Sequence, residues 1–437
     1  MKIHWGSGFS ALDARLHLAA RSPMYETLEY LESHINYWDI LIVLYNFIVI
    51  FFLFRFIKYY KHDYKILKGI GILTAIMLIF VLGQKQPLVL IQNYIHMLND
   101  THIYTERAKY LSSLVKNKNI SKIISSSYDY DKIVIIQGES VNKHHMGIYG
   151  YPVNTTPYFS ELMISNKFYK FNVIAPSNLT KYAVPMLLTK AHVSDWENMF
   201  IHSQSIVSDF TGNNYITHWV SNQGKSSRAD DYIANIAYEA NSTVFFNEWS
   251  WEDAKTDMVI KKYLDVKKSN HDKEMYVFHL MGSHFSYKKR VENHILYKHP
   301  KGIIEEYDNT IYFTDYIIKQ IFQYFLKDSE KVLIVYFSDH GEVVNAYKDG
   351  HGLLPTYKDE YEIPLLVYSS IDNPRIIKLL EKNKTKFFNA ENMNYFIEYI
   401  SGISDDANIS YSSQIFAIDP KNIRDYNQLK FYGEDEK

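Results

Sequence analysis

Cysteine is absent from the 437 residues, which removes disulfides, thiolate metal sites and cysteine nucleophiles together. That absence suits either redox compartment and so does not locate the protein. An excess of one charge sign is missing as well, with 22% of residues charged and a formal net charge of -2. Basic residues do not accumulate anywhere except in one short loop, so nucleic acid is not expected as a partner. Internal repeats and low-complexity linkers are also lacking. The 38 tyrosines are a compositional bias, shared with Lys, Asn and Ile. Aromatic residues at this density read as core and surface filler, not as a cofactor stack.

Hydrophobic length is what the first part of the chain does have. Trp38 to Ile57 is apolar apart from Asp39, Asn46 and Arg55, and a shorter run extends from Gly69 to Gly83. A membrane span takes about 20 mostly apolar residues; the first run is long enough, the second only with its flanks. The first is apolar around its whole circumference, which favours a membrane span over a core helix. Lys58, Lys61, Lys65 and Lys68 lie between the two runs, and positive charge in a short loop marks the cytoplasmic side.

The expected organisation is therefore an extracytoplasmic segment at 1–37 and two transmembrane helices within 38–86, joined by a cytoplasmic loop at 58–68. Linking or interfacial helices follow at 87–127, where Leu88, Ile91, Tyr94, Ile95 and Leu98 recur at helical spacing. A large domain at 128–437 then lies outside the cytoplasm. An external N-terminus needs an export signal or an earlier span, and residues 1–37 hold neither. Further spans upstream of Met1 are the expectation.

From about Tyr128, short β-branched runs alternate with longer helical stretches. The runs at 132–137, 276–281, 331–338 and 363–368 are nearly continuous in apolar residues. Such runs fit buried strands of a parallel sheet with helical crossovers, an α/β fold. Ligands of open α/β sheets bind at the carboxyl ends of the strands. Those ends carry Glu139-Ser140, Ser283-His284 and Asp339-His340-Gly341-Glu342, with His351 soon after. Carboxylates and imidazoles gathered on one edge suit zinc or manganese. A hydroxyl activated by such a metal would be the nucleophile, with Ser140 and Thr180 as candidates. Thr180 follows a turn at Pro176-Ser177-Asn178 and opens an apolar run, so it stands at a helix start, where a phosphoryl anion is favoured.

The stretch VIIQGESVNKHHMGIYGYPVNTTPYFSEL at 134–162 closely resembles the opening motif of phosphoethanolamine transferases, a family of the alkaline-phosphatase/sulfatase superfamily. NLTKYAVPML resembles the nucleophile motif of that family, with Thr180 and Pro185 at the same separation, and SDHGE at 338–342 resembles its Asp-His metal pair. MGSH at 281–284 and DGHG at 349–352 resemble two further histidine motifs, and THWVSNQG and YDNTIYFTD also look like family segments. The resemblance implies a metal site of Glu139, Thr180, Asp339 and His340. Thr180 would be the nucleophile, Ser140 only a neighbour of Glu139, and His284 and His351 would contact the phosphoryl group. Asn222 and Gln223 are weaker candidates for substrate contact.

The resemblance further implies a sulfatase/alkaline-phosphatase-like, mostly parallel sheet flanked by helices and preceded by an α-helical membrane anchor. It implies Zn2+, with Mn2+ as the other option, and a multi-pass protein of the bacterial inner membrane with its catalytic domain in the periplasm. The reaction would move phosphoethanolamine from phosphatidylethanolamine to lipopolysaccharide, at its core or lipid A, or to another envelope glycan. Family members acting on lipid A usually carry disulfides, so a chain without cysteine looks more like the branch acting on the core or on another glycan. The family usually has more membrane spans than the two read here. The alternatives are a phosphoglycerol transferase, a phosphatase-like or sulfatase-like hydrolase on the same fold, or a non-catalytic truncated membrane member. The dedicated formylglycine motif of sulfatases is not found.

Overall fold

The computed structural model describes residues 102–114, 130–224, 231–247, 255–268, 272–327, 331–409 and 411–434, with Arg55 and Asn99 besides. The two expected membrane spans, the cytoplasmic loop and residues 1–37 lie outside the described residues, Arg55 apart. Among the described residues no helix is long and apolar enough to cross a membrane.

Strand β1 (Lys132–Gly138) is buried along its whole length. Its alternate residues feed two cores: Ile133 and Ile135 pack on one face, Val134 and Ile136 on the other. This is the pattern of a strand covered on both sides. The other strands of its sheet are β2 (Phe168–Ile174), β3 (Ile216–Gly224), β4 (Ser242–Asn247), β5 (Glu274–His279), β6 (Val332–Ser338), β7 (Glu362–Ser369) and β8 (Phe388–Asn389). Their order across the sheet is β8-β2-β7-β6-β1-β5-β3-β4.

β1 pairs in parallel with β5 and β6, and β3 in parallel with β5 and β4. β7 runs antiparallel to both β2 and β6, so the apolar run at 363–368 is buried as read but reversed in direction. The reversal matters for the site. It brings the start of β7, not its end, to the edge where its neighbours finish. The run at 276–281 is displaced too, because the strand itself is Glu274–His279 and the apolar residues Leu280 and Met281 follow it into the edge loop.

Helices cover both faces. Against the second core lie α3 (Met258–Val266) and α4 (Ile303–Phe325), while α2 (Thr180–Leu188) and α5 (Met393–Ser401) pack on the first. A further helix, α1 at 102–114, falls within the stretch read as linking helices. Arg107 of α1 fixes it to the domain. Its guanidinium is fully buried and donates to Asn235 Oδ1 at 3.1 Å, to the Phe200 and Ser203 carbonyls, and to Glu239 Oε1 at 2.7 Å. Glu239 Oε2 in turn accepts from Ser205 and Ser208.

Removing one partner of a buried ion pair strands the other without compensation. Arg107→Ala in the full-length chain is expected to lower unfolding free energy by about 3–5 kcal/mol, measured by denaturant titration. A loss below about 1 kcal/mol, the scale of an exposed pair, would mean that α1 merely rests on the domain.

Candidate active site

The parallel register of β1 with β6 sets Gly138 opposite Ser338. The next residue of each chain segment, Glu139 and Asp339, therefore leaves the sheet side by side. His340 follows directly. Ligand atoms of Glu139, Asp339 and His340 lie within 4.8 Å of one another, and all three residues are fully buried. Thr180, the first residue of α2, points its hydroxyl into the same place. Its Oγ1 is 3.3 Å from each Glu139 carboxylate oxygen and 3.1 Å from His340 Nε2.

The donor set fits a divalent cation on its own chemistry. Asp339 Oδ1 accepts from the Ser140 and His340 amides at 3.1 and 2.8 Å, while the buried Oδ2 has no hydrogen-bond partner. His340 Nδ1 lies 2.9 Å from the Gly341 carbonyl, an arrangement that puts the proton on Nδ1 and leaves the Nε2 lone pair facing the cluster. Burial draws the His340 pKa down to about 4 against the pull of Asp339, so the ring is neutral and ready to ligate at neutral pH. Burial, and then the charge of Asp339, push Glu139 well above the carboxylate range. Asp339 also loses solvation, but His340 and the hydrogen bonds it accepts hold it lower. Two carboxylates that cannot both ionise unaided would do so around a cation.

The neighbouring residues hydrogen-bond to these ligands. Ser140 sits in the left-handed region at φ 58°, a conformation that costs a non-glycine residue about 1–3 kcal/mol. It keeps this conformation because its amide serves Asp339, its hydroxyl donates to Glu139 Oε1 at 2.9 Å, and its carbonyl accepts from Tyr307 of α4 at 2.6 Å. Gln223 donates to Glu139 Oε2 at 3.0 Å and to the Leu280 carbonyl at 2.8 Å. Asn222 lies apart from the cluster. Its amide donates to the Lys255 carbonyl and to Asp257 Oδ1 at 2.9 and 2.8 Å.

The His351 ring lies tilted by 43° against that of His340 with centroids 4.1 Å apart, and His284 lies next to His351 at 6.2 Å. Desolvation, reinforced by Arg290 and His351, keeps the His284 imidazole neutral. For His351 burial works in the same direction, but the carboxylates of Glu342, Asp339 and Glu360 outweigh it and raise its pKa. His351 Nδ1 is 3.8 Å from Glu342 Oε1, which accepts from the Tyr287 hydroxyl at 2.9 Å.

Thus Glu139, Thr180, Asp339, His340 and Gln223 converge, His351 and His284 flank them, and Asn222 does not take part. Reading the sequence missed Asp257 and Tyr307, and it placed Glu342 at the edge without giving it a role. Glu342 ends the SDHGE motif and Tyr307 opens YDNTIYFTD, so a motif signal existed for both. Asp257 had none: it adjoins no strand end, yet its carboxylate accepts from the Met281 and Gly282 amides at 2.9 and 2.8 Å. That bond sets the loop before His284. Gly282 is required there, since a Cβ would stand 2.8 Å from the Glu139 carbonyl oxygen.

Comparison with known proteins places the chain in a family with this fold. A family model described as sulfatase matches residues 131–412. Phosphoethanolamine transferase EptC of Escherichia coli is 24% identical over 267 residues, which are 55% of this chain and 45% of that protein. Phosphoethanolamine transferase EptA of Helicobacter pylori is 23% identical over 273 residues, 57% of this chain and 49% of that one. The chain spans about half the length of these curated relatives. Among solved structures, the C-terminal periplasmic domain of EptC from E. coli in complex with zinc superposes with a TM-score of 0.59 at 20% identity, covering 71% of this chain and 96% of that one. The integral membrane lipooligosaccharide phosphoethanolamine transferase A of Neisseria meningitidis gives 0.52 at 15% identity, over 78% and 70%. At such identities the likeness establishes the fold.

Residues that orient metal ligands typically affect affinity by about 10–100-fold. Gln223→Leu is expected to weaken zinc binding by that factor in a competition titration with a chelating dye. Unchanged zinc affinity with a raised KM would instead return Gln223 to the substrate.

Proposed function

Because this chain belongs to the sulfatase family, as a distant homologue of its phosphoethanolamine transferases, we propose that it moves phosphoethanolamine from phosphatidylethanolamine to an envelope glycan through Thr180. The observation that carries the reading is the placement of the Thr180 hydroxyl, within 3.3 Å of Glu139 and His340 at the start of a helix. A hydroxyl is a weak nucleophile until its environment favours the anion. Zinc held by Glu139, Asp339 and His340, with Thr180 Oγ1 as a further ligand, would supply that charge when bound, and manganese would also suit so many oxygen donors.

The remaining roles belong to the chain. Thr180 Oγ1 bonds to phosphorus as the bond from phosphorus to the diacylglycerol oxygen breaks. The proton that leaves Thr180 ends on diacylglycerol, delivered by His351 or His284. In the second half a hydroxyl of the acceptor takes the phosphoethanolamine group, and Thr180 recovers a proton. The positive end of α2 favours the phosphoryl oxygens, while the neutral His284 ring donates its Nδ1 proton to the Phe285 carbonyl at 2.6 Å and keeps Nε2 as a proton acceptor. The acceptor is lipopolysaccharide, at its core or lipid A, or another envelope glycan. Donor and acceptor of this kind are amphiphiles, which agrees with a chain anchored in the inner membrane with its catalytic domain in the periplasm. The relatives named above as integral membrane and periplasmic proteins support that placement.

The test is peptide mass spectrometry on the full-length chain in mild detergent after incubation with zinc and phosphatidylethanolamine. A phosphoethanolamine adduct on Thr180 is expected, absent in Glu139→Ala, with turnover in Thr180→Ala lower by at least about three orders of magnitude. An adduct from phosphatidylglycerol alone would make the protein a phosphoglycerol transferase. Release of phosphate or headgroup with no transfer would make it a hydrolase.

A further inference from the structure

The turn that leads into β7 places one carboxylate among three loops of the site. Glu360 ends the short helical turn Lys358–Glu360 and is fully buried. Its Oε2 accepts from Asn178 Nδ2 at 2.8 Å and from the Leu353 amide at 2.9 Å. Its Oε1 accepts from Thr356 Oγ1 at 2.7 Å and the Tyr357 amide at 2.8 Å. Its backbone carbonyl accepts from the Gly341 amide at 2.9 Å.

Three of those partners stand within two residues of a reactive one. Asn178 is two residues before Thr180. Leu353 is two residues after His351. Gly341 follows His340. The contact with the last of these is so close that a Cβ on Gly341 would lie 2.2 Å from the Asp359 carbonyl oxygen. Asn178 is itself held on its other side, where Oδ1 accepts from the Ile418 amide at 2.8 Å. A buried carboxylate meeting four donors is satisfied without a counter-ion.

We infer that Glu360 is a positioning residue for the proposed transfer, holding the Thr180 loop against the His351 loop and the His340 turn. The inference rests on the reading of Thr180 as nucleophile. Glu360 touches neither the ligand atoms of Glu139, Asp339 and His340 nor the Thr180 hydroxyl. Its loss should therefore misplace the nucleophile relative to the histidines while Glu139, Asp339 and His340 stay where the β1 and β6 ends put them. A misplacement of about 1 Å by a residue remote from the chemistry can cost on the order of 10²-fold in rate.

The test compares Glu360→Gln, Asn178→Ala and the exchange variant Asn178→Asp/Glu360→Gln with the wild-type full-length chain, zinc-loaded in detergent. Three quantities are read: zinc affinity, hydrogen–deuterium exchange over 177–181 and 352–357, and the rate of adduct formation at Thr180 from phosphatidylethanolamine. Both single variants are expected to keep zinc affinity within about 10-fold of wild type, because Glu139, Asp339 and His340 stay in place, to exchange faster in both segments, and to form the adduct about 10–100-fold more slowly at saturating lipid with KM unchanged. The exchange variant restores an amide-to-carboxylate bond between the two loops and is expected to recover part of the rate. Wild-type rate and exchange in both single variants would overturn the inference. So would a rate lost together with zinc affinity, which would make Glu360 a general stabiliser. Should Glu360→Gln fail to fold, Asn178→Ala, which severs only the nucleophile loop, decides alone. If the wild-type protein forms no adduct, the transfer reading falls, and the exchange measurement still decides whether Glu360 joins the loops.

Discussion

Two carboxylates side by side with no water around them are the condition that the rest of the site answers. Glu139 and Asp339 arrive together because β1 and β6 are parallel neighbours in register, and both are fully buried. Like charges at about 4 Å repel by about 4 kcal/mol at an effective dielectric near 20. Neither a lysine nor an arginine among the described residues relieves this. Among the described residues, the third member of the cluster is His340, which burial keeps neutral. An imidazole lone pair and an unpartnered carboxylate oxygen then face the same point. The arrangement is unfavourable alone and favourable around a divalent cation. That is why the donor set argues for a metal independently of any relative.

The loops bearing the reactive residues are then fixed from both sides of the sheet. From one face, α4 reaches the edge through Tyr307, which donates to the Ser140 carbonyl and accepts from the Asn142 amide, and through Thr310, which meets Ser283. From the edge itself, the reversed strand β7 starts where its neighbours end. Its entry turn thereby becomes a fixed point for the segments around it. An all-parallel sheet would have placed that turn at the opposite edge. The direction of one strand therefore decides how firmly the nucleophile and the histidines are held.

Much of this was legible in sequence because the informative residues are local. Glu139, Asp339 and His340 follow apolar runs directly, and strand ends in α/β sheets are where ligands gather. β2, β3 and β4 were not picked out, for a physical reason. β2 interleaves Lys170 and Asn172 with apolar residues, and β3 buries Thr217, His218, Ser221 and Asn222. Buried polar residues with partners look like loop in one dimension. Gln223 drew attention by motif, as a weak candidate for substrate contact or as a structural residue, and its amide engages Glu139. Asp257 and Glu360 could not be read, since the contacts that tie them to the site are distant in sequence: the Met281 amide lies 24 positions from Asp257, and Asn178 lies 182 positions from Glu360.

These remote acids also explain how a chain without cysteine keeps its edge loops in place. Asp257 gathers three donors, from Asn222, Met281 and Gly282. Asp315 takes the Tyr158 and Phe159 amides, and Glu239 joins Arg107 to Ser205 and Ser208. Each is a short charge-assisted or multiply donated contact between distant segments, the geometric task a disulfide would perform. The physics differs. A disulfide acts in good part by restricting the unfolded chain. A buried carboxylate acts only once its donors are assembled, and leaves a desolvated charge wherever one is missing. Loops held this way depend on the sheet being complete, and the site they form is correspondingly all-or-none. The same carboxylates that set its geometry would destabilise any fold in which β1, β5 and β6 did not meet in this register.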